Sequence, residues 1–259
     1  MVARECSRLL PVAIFVIAFG LISCGGGGGG GGGLTGTSNG STNGTSGDGP
    51  LGCPLNSYSP NYLEENDPST GDPNGVHWWN HFPLKVYFSS SPTIQNQDVN
   101  SIVLTGMNAW SAVSGVTMAS QVQAQNQADV VITYVHVNSS PTNTWIGQTS
   151  WSFSPSTAQT FDAETQLKIW DSMTVAEVVN GLRHTAQHEF GHALFLGGHS
   201  PFLSDSMYPS GSTSTYKPLT QRDANSLLTA YCGSFSNRSA STKPTEPLQR
   251  RTISEGAGG

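Results

Sequence analysis

The chain has 259 residues and a formal charge of −6, and only 11% of its residues are charged, against about 25% in an average soluble protein. Ser, Thr, Asn, Gln and Gly take the place of charge, which fits an extracytoplasmic protein. No Lys/Arg run exists to neutralise phosphates, so a nucleic-acid partner is argued against, and the length suits one catalytic-sized domain with flanking segments.

The chain opens with Arg4 and Arg8 before a nearly unbroken apolar run over residues 9–19. That run is too short to span a bilayer and reads as a signal peptide covering residues 1–23. Leu21-Ile22-Ser23-Cys24 resembles the lipobox of bacterial lipoproteins, which implies lipidation at Cys24; ordinary signal cleavage nearby is the alternative. The expected location is then the bacterial cell envelope, at the outer membrane or cell surface. Residues 24–50 contain nine consecutive glycines and almost nothing apolar, so they should form a flexible tether. Its root-mean-square reach is about 25–30 Å.

Of the four cysteines, Cys6 leaves with the signal and Cys24 carries lipid. Cys53 and Cys232 remain as an even pair in an oxidising compartment, which predicts a disulfide around a domain at residues 51–233. Closing so long a loop stabilises by about 4–5 kcal/mol in the chain-entropy picture.

Within the domain, residues 51–80 read as irregular chain rich in Pro, Asn, Asp and Gly. Leu84-Lys85-Val86-Tyr87-Phe88 alternates as a first strand. Val99, Ile102, Val103, Met107, Trp110 and Val113 recur at helical spacing, predicting one helix over residues 96–114 that ends at Gly115. Residues 116–118 are a short strand candidate, and residues 128–135 form a nearly continuous apolar run that belongs in the middle of a sheet. Residues 145–153 and 166–170 read as two further strands around a loop at 154–165.

Thr174-Val175-Ala176-Glu177 matches a capping box, and Val175, Val178, Leu182, Ala186, Phe190 and Ala193 follow as an apolar helical stripe. A second capping box, Thr220-Gln221-Arg222-Asp223, opens a last helix with Leu227, Leu228 and Tyr231, stopped at Gly233. Residues 234–259 lack periodicity and are expected to form a disordered tail.

The chemistry lies in the first of these helices. His188-Glu189-Phe190-Gly191-His192 is an HExxH motif, with two histidines four apart and therefore on one helix face. Two imidazoles so placed can hold one zinc at about 2.0–2.1 Å, while Glu189 faces a water on the metal. His199 follows the pair Gly197-Gly198, where the chain should turn back and bring a third nitrogen ligand. Three neutral ligands leave a fourth position open, as catalytic zinc sites require. His184 lies one turn before His188, too far along the helix to join the same metal, and reads as a supporting or core residue. His77, His81 and His136 match no ligand spacing and read as surface or core.

His188 to Leu194, then His199-Ser200, then Met207-Tyr208-Pro209 together resemble a matrixin, a zinc endopeptidase of the metzincin clan. Ala128-Asp129-Val130-Val131-Ile132 is also similar to the central strand of that family. The resemblance spans residues 84–232 in pattern and is specific from His188 to Pro209. It implies an α/β fold: a metzincin-like catalytic domain with a twisted, mostly parallel five-stranded sheet, an antiparallel edge strand and three main helices. It implies that one of the strands at 145–153 and 166–170 is that edge, and residues 145–153 are assigned to it, open to an extended peptide.

The implied function is a zinc-dependent endopeptidase acting on proteins or peptides, with one catalytic Zn2+ on His188, His192 and His199. Glu189 would be the general base towards a zinc-bound water and then the acid towards the leaving amine. Met207 would form an apolar floor under the ligands, and Tyr208 with Pro209 a substrate pocket wall. Structural Ca2+ or Zn2+, as some matrixins carry, stays open, and a monomer is expected. A cysteine switch through Cys53 is the lesser alternative to the disulfide, because Gly52-Cys53-Pro54 departs from the family's Pro-Arg-Cys-Gly context. A different class, a catalytically inactive zinc-retaining binding lipoprotein of the cell surface, is countered by the intact Glu189. A metallopeptidase with a glutamate as third ligand lacks the downstream Glu-x-x-x-Asp.

The chain departs from the family pattern HExxHxxGxxH in two places. Phe195 stands where glycine is usual, and His199 comes one residue late. Because phenylalanine resists positive φ, the helix is expected to run past it and to turn at Gly197 or Gly198.

Overall fold

The computed structural model describes residues 51, 53, 57–63, 75–140, 145–211, 214–232 and 243–257. The signal segment, the tether and Cys24 lie outside them.

Strand β1 (Leu84–Phe88) follows its alternation, with Leu84, Val86 and Phe88 buried and Lys85 exposed. A small hairpin of β2 (Thr93–Ile94) and β3 (Gln97–Asp98) turns through Gln95 and Asn96 at φ 51 and 60°. Two left-handed residues in succession give the turn whose twist suits a two-residue hairpin. Asp98 then caps α1 (Val99–Met107), accepting from the backbone N–H of Asn100 at 3.1 Å and Ser101 at 3.4 Å.

The single helix expected over 96–114 is two. Asn108 separates α1 from α2 (Ala109–Ser114), and its Oδ1 accepts from the Ala119 N–H and the Ser111 hydroxyl, both at 3.1 Å. A short polar side chain that bonds back to nearby chain competes with helix continuation. Gly115 ends α2 at φ 77°, and the strand expected at 116–118 instead forms at β4 (Ala119–Gln121).

Strand β5 (Val130–Val137) is central, paired in parallel with β1 on one side and with β7 (Thr160–Trp170) on the other. β7 begins six residues before the start expected at 166, and β6 (Trp145–Phe153) runs antiparallel to it. The order β4-β1-β5-β7-β6 is the expected mostly parallel sheet with one antiparallel strand. The sheet continues, however, through β9 (Gln249–Ala257) and β8 (Ser210–Gly211) to seven strands.

This overturns two expectations. Within the segment read as a disordered tail, residues 249–257 form β9, and β6 is paired on both sides rather than open at an edge. The period-two signal of β9 is hidden because its inward positions are Arg251, Ile253 and Glu255, of mixed chemistry, while Thr252 and Ser254 face solvent. Its partner strand also lies about a hundred residues away, as in the pairing of Ser150 with Thr252.

The capping box at Thr174 forms as read, with the Thr174 N–H donating to Glu177 Oε2 at 2.7 Å and the Glu177 N–H to Thr174 Oγ1 at 3.2 Å. A π-helical turn, Glu177–Leu182, precedes α3 (Arg183–Leu194). α3 packs on β6 and β7 and against α1, with Ala186, Phe190 and Ala193 in the core. The second capping box forms likewise, Thr220 and Asp223 exchanging bonds at 2.8 and 3.2 Å at the head of α4 (Gln221–Cys232). Cys53 is disulfide-bonded to Cys232 at a Cα separation of 5.6 Å, fastening the start of the described chain to the end of α4.

Candidate active site

His188 and His192 project from one face of α3, fully buried. His188 Nδ1 bonds to the Ser206 carbonyl and His192 Nδ1 to the Leu196 carbonyl, each at 2.7 Å. A carbonyl only accepts, so both Nδ1 atoms carry the proton and both Nε2 atoms present lone pairs. Those lone pairs face each other at 3.0 Å. The His199 ring comes in at 5.3 Å from His188 and 4.9 Å from His192 between centroids, and ligand atoms of all three lie within 4.8 Å of one another.

Burial, reinforced by the neighbouring imidazoles, pushes the pKa of His188 and of His192 well below the ordinary histidine value, so both are neutral at pH 7. Converging neutral lone pairs repel unless a cation lies between them. Three imidazoles around one point, two of them oriented by backbone carbonyls, fit zinc in donor type and in spacing.

The turn to His199 differs from its expectation. α3 ends at Leu194, and Phe195 caps it at φ −158° and ψ −16°, its N–H donating to the Gly191 carbonyl at 3.0 Å. Among the described glycines only Gly75 and Gly115 have positive φ, so neither Gly197 nor Gly198 makes a left-handed turn. Pairing with residues 75–77 does the work instead. The His77 N–H donates to the Phe195 carbonyl at 3.0 Å, the Gly197 N–H to the Gly75 carbonyl at 2.5 Å, and Val76 bridges Leu196. Gly197 is required for space: a Cβ there would stand 3.1 Å from the Trp151 ring and 3.3 Å from the Gly75 carbonyl.

The last carbonyls of a helix lack helical partners. Here His77 Nε2 donates to the His192 carbonyl at 2.7 Å, Trp79 Nε1 to that of Ala193 at 2.7 Å and the Tyr231 hydroxyl to that of Leu194 at 2.6 Å. His77 also stacks on Trp151 at 4.7 Å and bonds to Thr160 Oγ1 at 2.8 Å. This buried histidine thus anchors the end of the ligand helix. The pair Val76-His77 gives no local signal of it, since its partners lie more than eighty residues away.

Met207 lies under α3 with no exposed surface, so close that a Cβ at Gly191 would overlap its thioether and crowd the Trp110 ring. That contact explains the glycine inside the HExxH motif. The Met207 loop hangs from α4: Asp223 accepts from the N–H of Ser206 at 3.0 Å and from the Tyr62 hydroxyl at 2.9 Å. Asp205 receives a two-pronged contact from Arg222, with Nε and one terminal nitrogen both at 2.9 Å, and the hydroxyl of Ser200 at 2.7 Å. Burial pushes the Asp205 carboxyl up, but Arg222, Ser200 and Thr220 outweigh it and hold the pKa below its usual value. Ser200 adjoins His199, so this network fixes the third histidine. The sequence reading missed Tyr62, Ser200, Arg222 and Asp223 as site supports. Tyr208 is half-buried with the Lys217 ammonium 5.8 Å from its ring centre, and Pro209 is exposed.

Glu189 is fully buried between α3 and β6. Thr149 Oγ1 donates to Glu189 Oε2 at 2.7 Å. Burial pushes the Glu189 carboxyl up to about 8, opposed by the Thr149 hydroxyl and the Glu255 main chain. Any side chain at Gly147 would overlap the Glu189 carboxylate, so glycine is what lets β6 pass this close. Neither Thr149 nor Gly147 was singled out by the sequence. Nor was Glu255, whose carboxylate lies with His188 and Glu189 within 4.8 Å.

Of the remaining histidines, His184 is buried edge-on to Tyr216 at 6.4 Å and is not in the three-histidine group. Burial, then the Lys217 charge, lowers its pKa to about 4. His81 and His136 are exposed and meet Asp129 and Asp171, each at 3.0 Å.

The chain matches no curated protein. It does match the sequence model of the Matrixin family over residues 77–232, which spans more than half of it and holds α3, Met207 and α4. The chain therefore belongs to the matrixins, a family of zinc metallopeptidases.

Proposed function

We propose that the protein is a zinc endopeptidase in which His188, His192 and His199 hold the metal and Glu189 moves the proton. The observation that carries this reading is the convergence of neutral imidazoles beside a buried carboxylate. Zinc, when bound, acidifies a water and polarises the scissile carbonyl. Glu189 accepts a proton at its carboxylate and returns it to the departing amine. Thr149 aims that carboxylate through Oε2, and a carboxyl pushed up to about 8 suits a group that must both take and give a proton near neutral pH. Met207 supports the histidines by packing, and Tyr208 with Pro209 borders the substrate pocket.

The protein is expected to bind one zinc per chain and, once residues 249–257 are freed from β6, to hydrolyse unstructured protein substrates such as casein. 1,10-Phenanthroline should abolish hydrolysis, and added zinc should restore it. Hydrolysis indifferent to the chelator would remove the metal from the mechanism. Zinc binding without hydrolysis, even in an Ile253→Pro variant that loosens the strand at 249–257, would favour the inactive binding protein.

The domain at 51–233 would be exported and held at the cell envelope by lipid on Cys24, through the glycine-rich tether. The Cys53–Cys232 disulfide supports an oxidising compartment. Cys24→Ser is expected to shift the protein out of the membrane fraction or to leave its signal uncleaved. Unchanged fractionation and cleavage would rule the anchor out.

A further inference from the structure

β9 occupies the position an extended peptide would take along β6. It pairs antiparallel with β6 from Phe153↔Gln249 to Trp145↔Gly256, and its end pairs in parallel with Ser210–Gly211, directly after Met207-Tyr208-Pro209. The tail thus fills the groove between the strand that carries Thr149 and the loop that carries Met207. Adding a strand to a sheet edge is a general mode of peptide capture, in which main-chain bonds hold the peptide and alternate side chains are read.

One of those alternate side chains is Glu255. It sits opposite Gly147, where the pairing register shifts and β6 passes closest to Glu189. Glu255 is fully buried, and neither of its carboxylate oxygens has a hydrogen-bond partner among the described residues. A carboxylate buried without donors is unfavourable unless a cation faces it or a proton neutralises it. The ligand atoms beside it belong to His188 and Glu189.

The tail is held chiefly by its main-chain pairing with β6, with Ile253 packed on the core and Arg251 5.2 Å from the Phe153 ring centre, and its other side-chain contacts lie at the surface. Gln148 bonds to Ser254 at 2.8 Å, Ser150 to Thr252 at 2.7 Å, and Arg250 meets Asp162 and Glu164, each at 3.2 Å, all at exposed positions. The strand is therefore a mostly polar strap, paired through its backbone, with a buried carboxylate at the end nearest Glu189.

We propose that residues 249–257 are a resident occupant of the substrate cleft, with the Glu255 carboxylate as an internal ligand to the metal, so that the chain as folded is a latent form. This rests on the zinc-peptidase reading and adds how the site is regulated. Activation then requires the strap to leave β6, by displacement or by cutting of the chain before β9.

The test uses full-length protein loaded with cobalt(II), whose visible spectrum reports the ligands, as wild type, Glu255→Ala and Ile253→Pro. Acetohydroxamic acid, a small metal-seeking probe, is expected to bind both variants at least tenfold more tightly than wild type. The cobalt spectrum should change on Glu255→Ala before the probe is added. Amide hydrogens of residues 147–153 should exchange at least tenfold faster in Ile253→Pro, which sets a proline opposite Thr149 in the middle of the β6–β9 pairing without touching Glu255. Hydrolysis of a peptide substrate should rise in both variants. Equal probe affinity and an unchanged spectrum, with cobalt bound in all three proteins, overturn the proposal and leave the metal site standing. Metal-dependent cleavage of the chain within 249–257 makes the tail a substrate and also overturns it. Failure of all three proteins to bind cobalt or zinc removes the peptidase reading itself, and the latent form with it.

Discussion

Glu189→Gln is expected to lower peptide hydrolysis by at least about 10²–10⁴-fold, the range of a positioned proton-transfer group, while zinc stays at one per chain. The amide matches the carboxylate in shape and can still meet the Thr149 hydroxyl, so the three histidines keep their positions. It cannot take a proton from water. The effect should appear chiefly in kcat, because Glu189 is buried in α3 and meets the strand position only where its carboxylate accepts from the Glu255 main chain.

Stability offers a separate readout of the same side chain. The folded pKa of Glu189 is raised by burial to about 8 from an ordinary 4.5, so its contribution favours folding below about pH 4.5 and is lost as pH rises towards 8. In metal-free protein, glutamine should remove that loss. The variant's melting temperature relative to wild type is therefore expected to rise between pH 4.5 and 8. Undiminished turnover in the variant would exclude Glu189 from the proton transfer.

His199→Ala should lower zinc affinity by about 10³-fold or more, beyond the roughly 10–100-fold that follows loss of a group merely holding a ligand. It strips one of three protein ligands and leaves two lone pairs that alone cannot define a tetrahedral site. Hydrolysis should fall with metal occupancy and recover only partly in excess zinc. Ser200→Ala provides the comparison: it removes the bond to Asp205 but not the imidazole, and should cost affinity within the smaller range. Metal titration against a chromophoric chelator measures both. Full zinc and full activity in His199→Ala would place the third ligand elsewhere.

The turn between His192 and His199 sharpens this prediction. Phe195 is fully buried and stands edge-on to Trp110 at 5.5 Å. Restoring the family's glycine at 195 should therefore be severe, at about 3–5 kcal/mol for emptying a phenylalanine site. Gly197→Val should also be poorly tolerated, through collision with Trp151 and the Gly75 carbonyl rather than through a strained φ. In this chain the position of glycine is taken over by a packed aromatic ring, and the turn is held from outside by residues 75–77.

Local spacing was enough for the HExxH helix, both capping boxes, β1, the central β5 and the histidine after the double glycine. Each depends on residues a few positions apart, and period and capping express those contacts directly in the amino-acid order. The likeness to matrixins rested mainly on the same short stretch, where His188 and His192 stand four apart on one helix face.

What only the tertiary structure decided has partners far along the chain. His77, Trp79 and Tyr231 close the end of α3 from 37 to 115 residues away, and Gly147 earns its place only through the approach of Glu189. Asn108 divides a helix that periodicity joined, because its side chain is drawn to Ser111 and Ala119. Most of all, β9 carries too mixed a set of inward residues to read as a strand. It becomes one because β6 offers it an unsatisfied row of backbone donors and acceptors, and Glu255 reaches His188 and Glu189 only when that pairing has set its register.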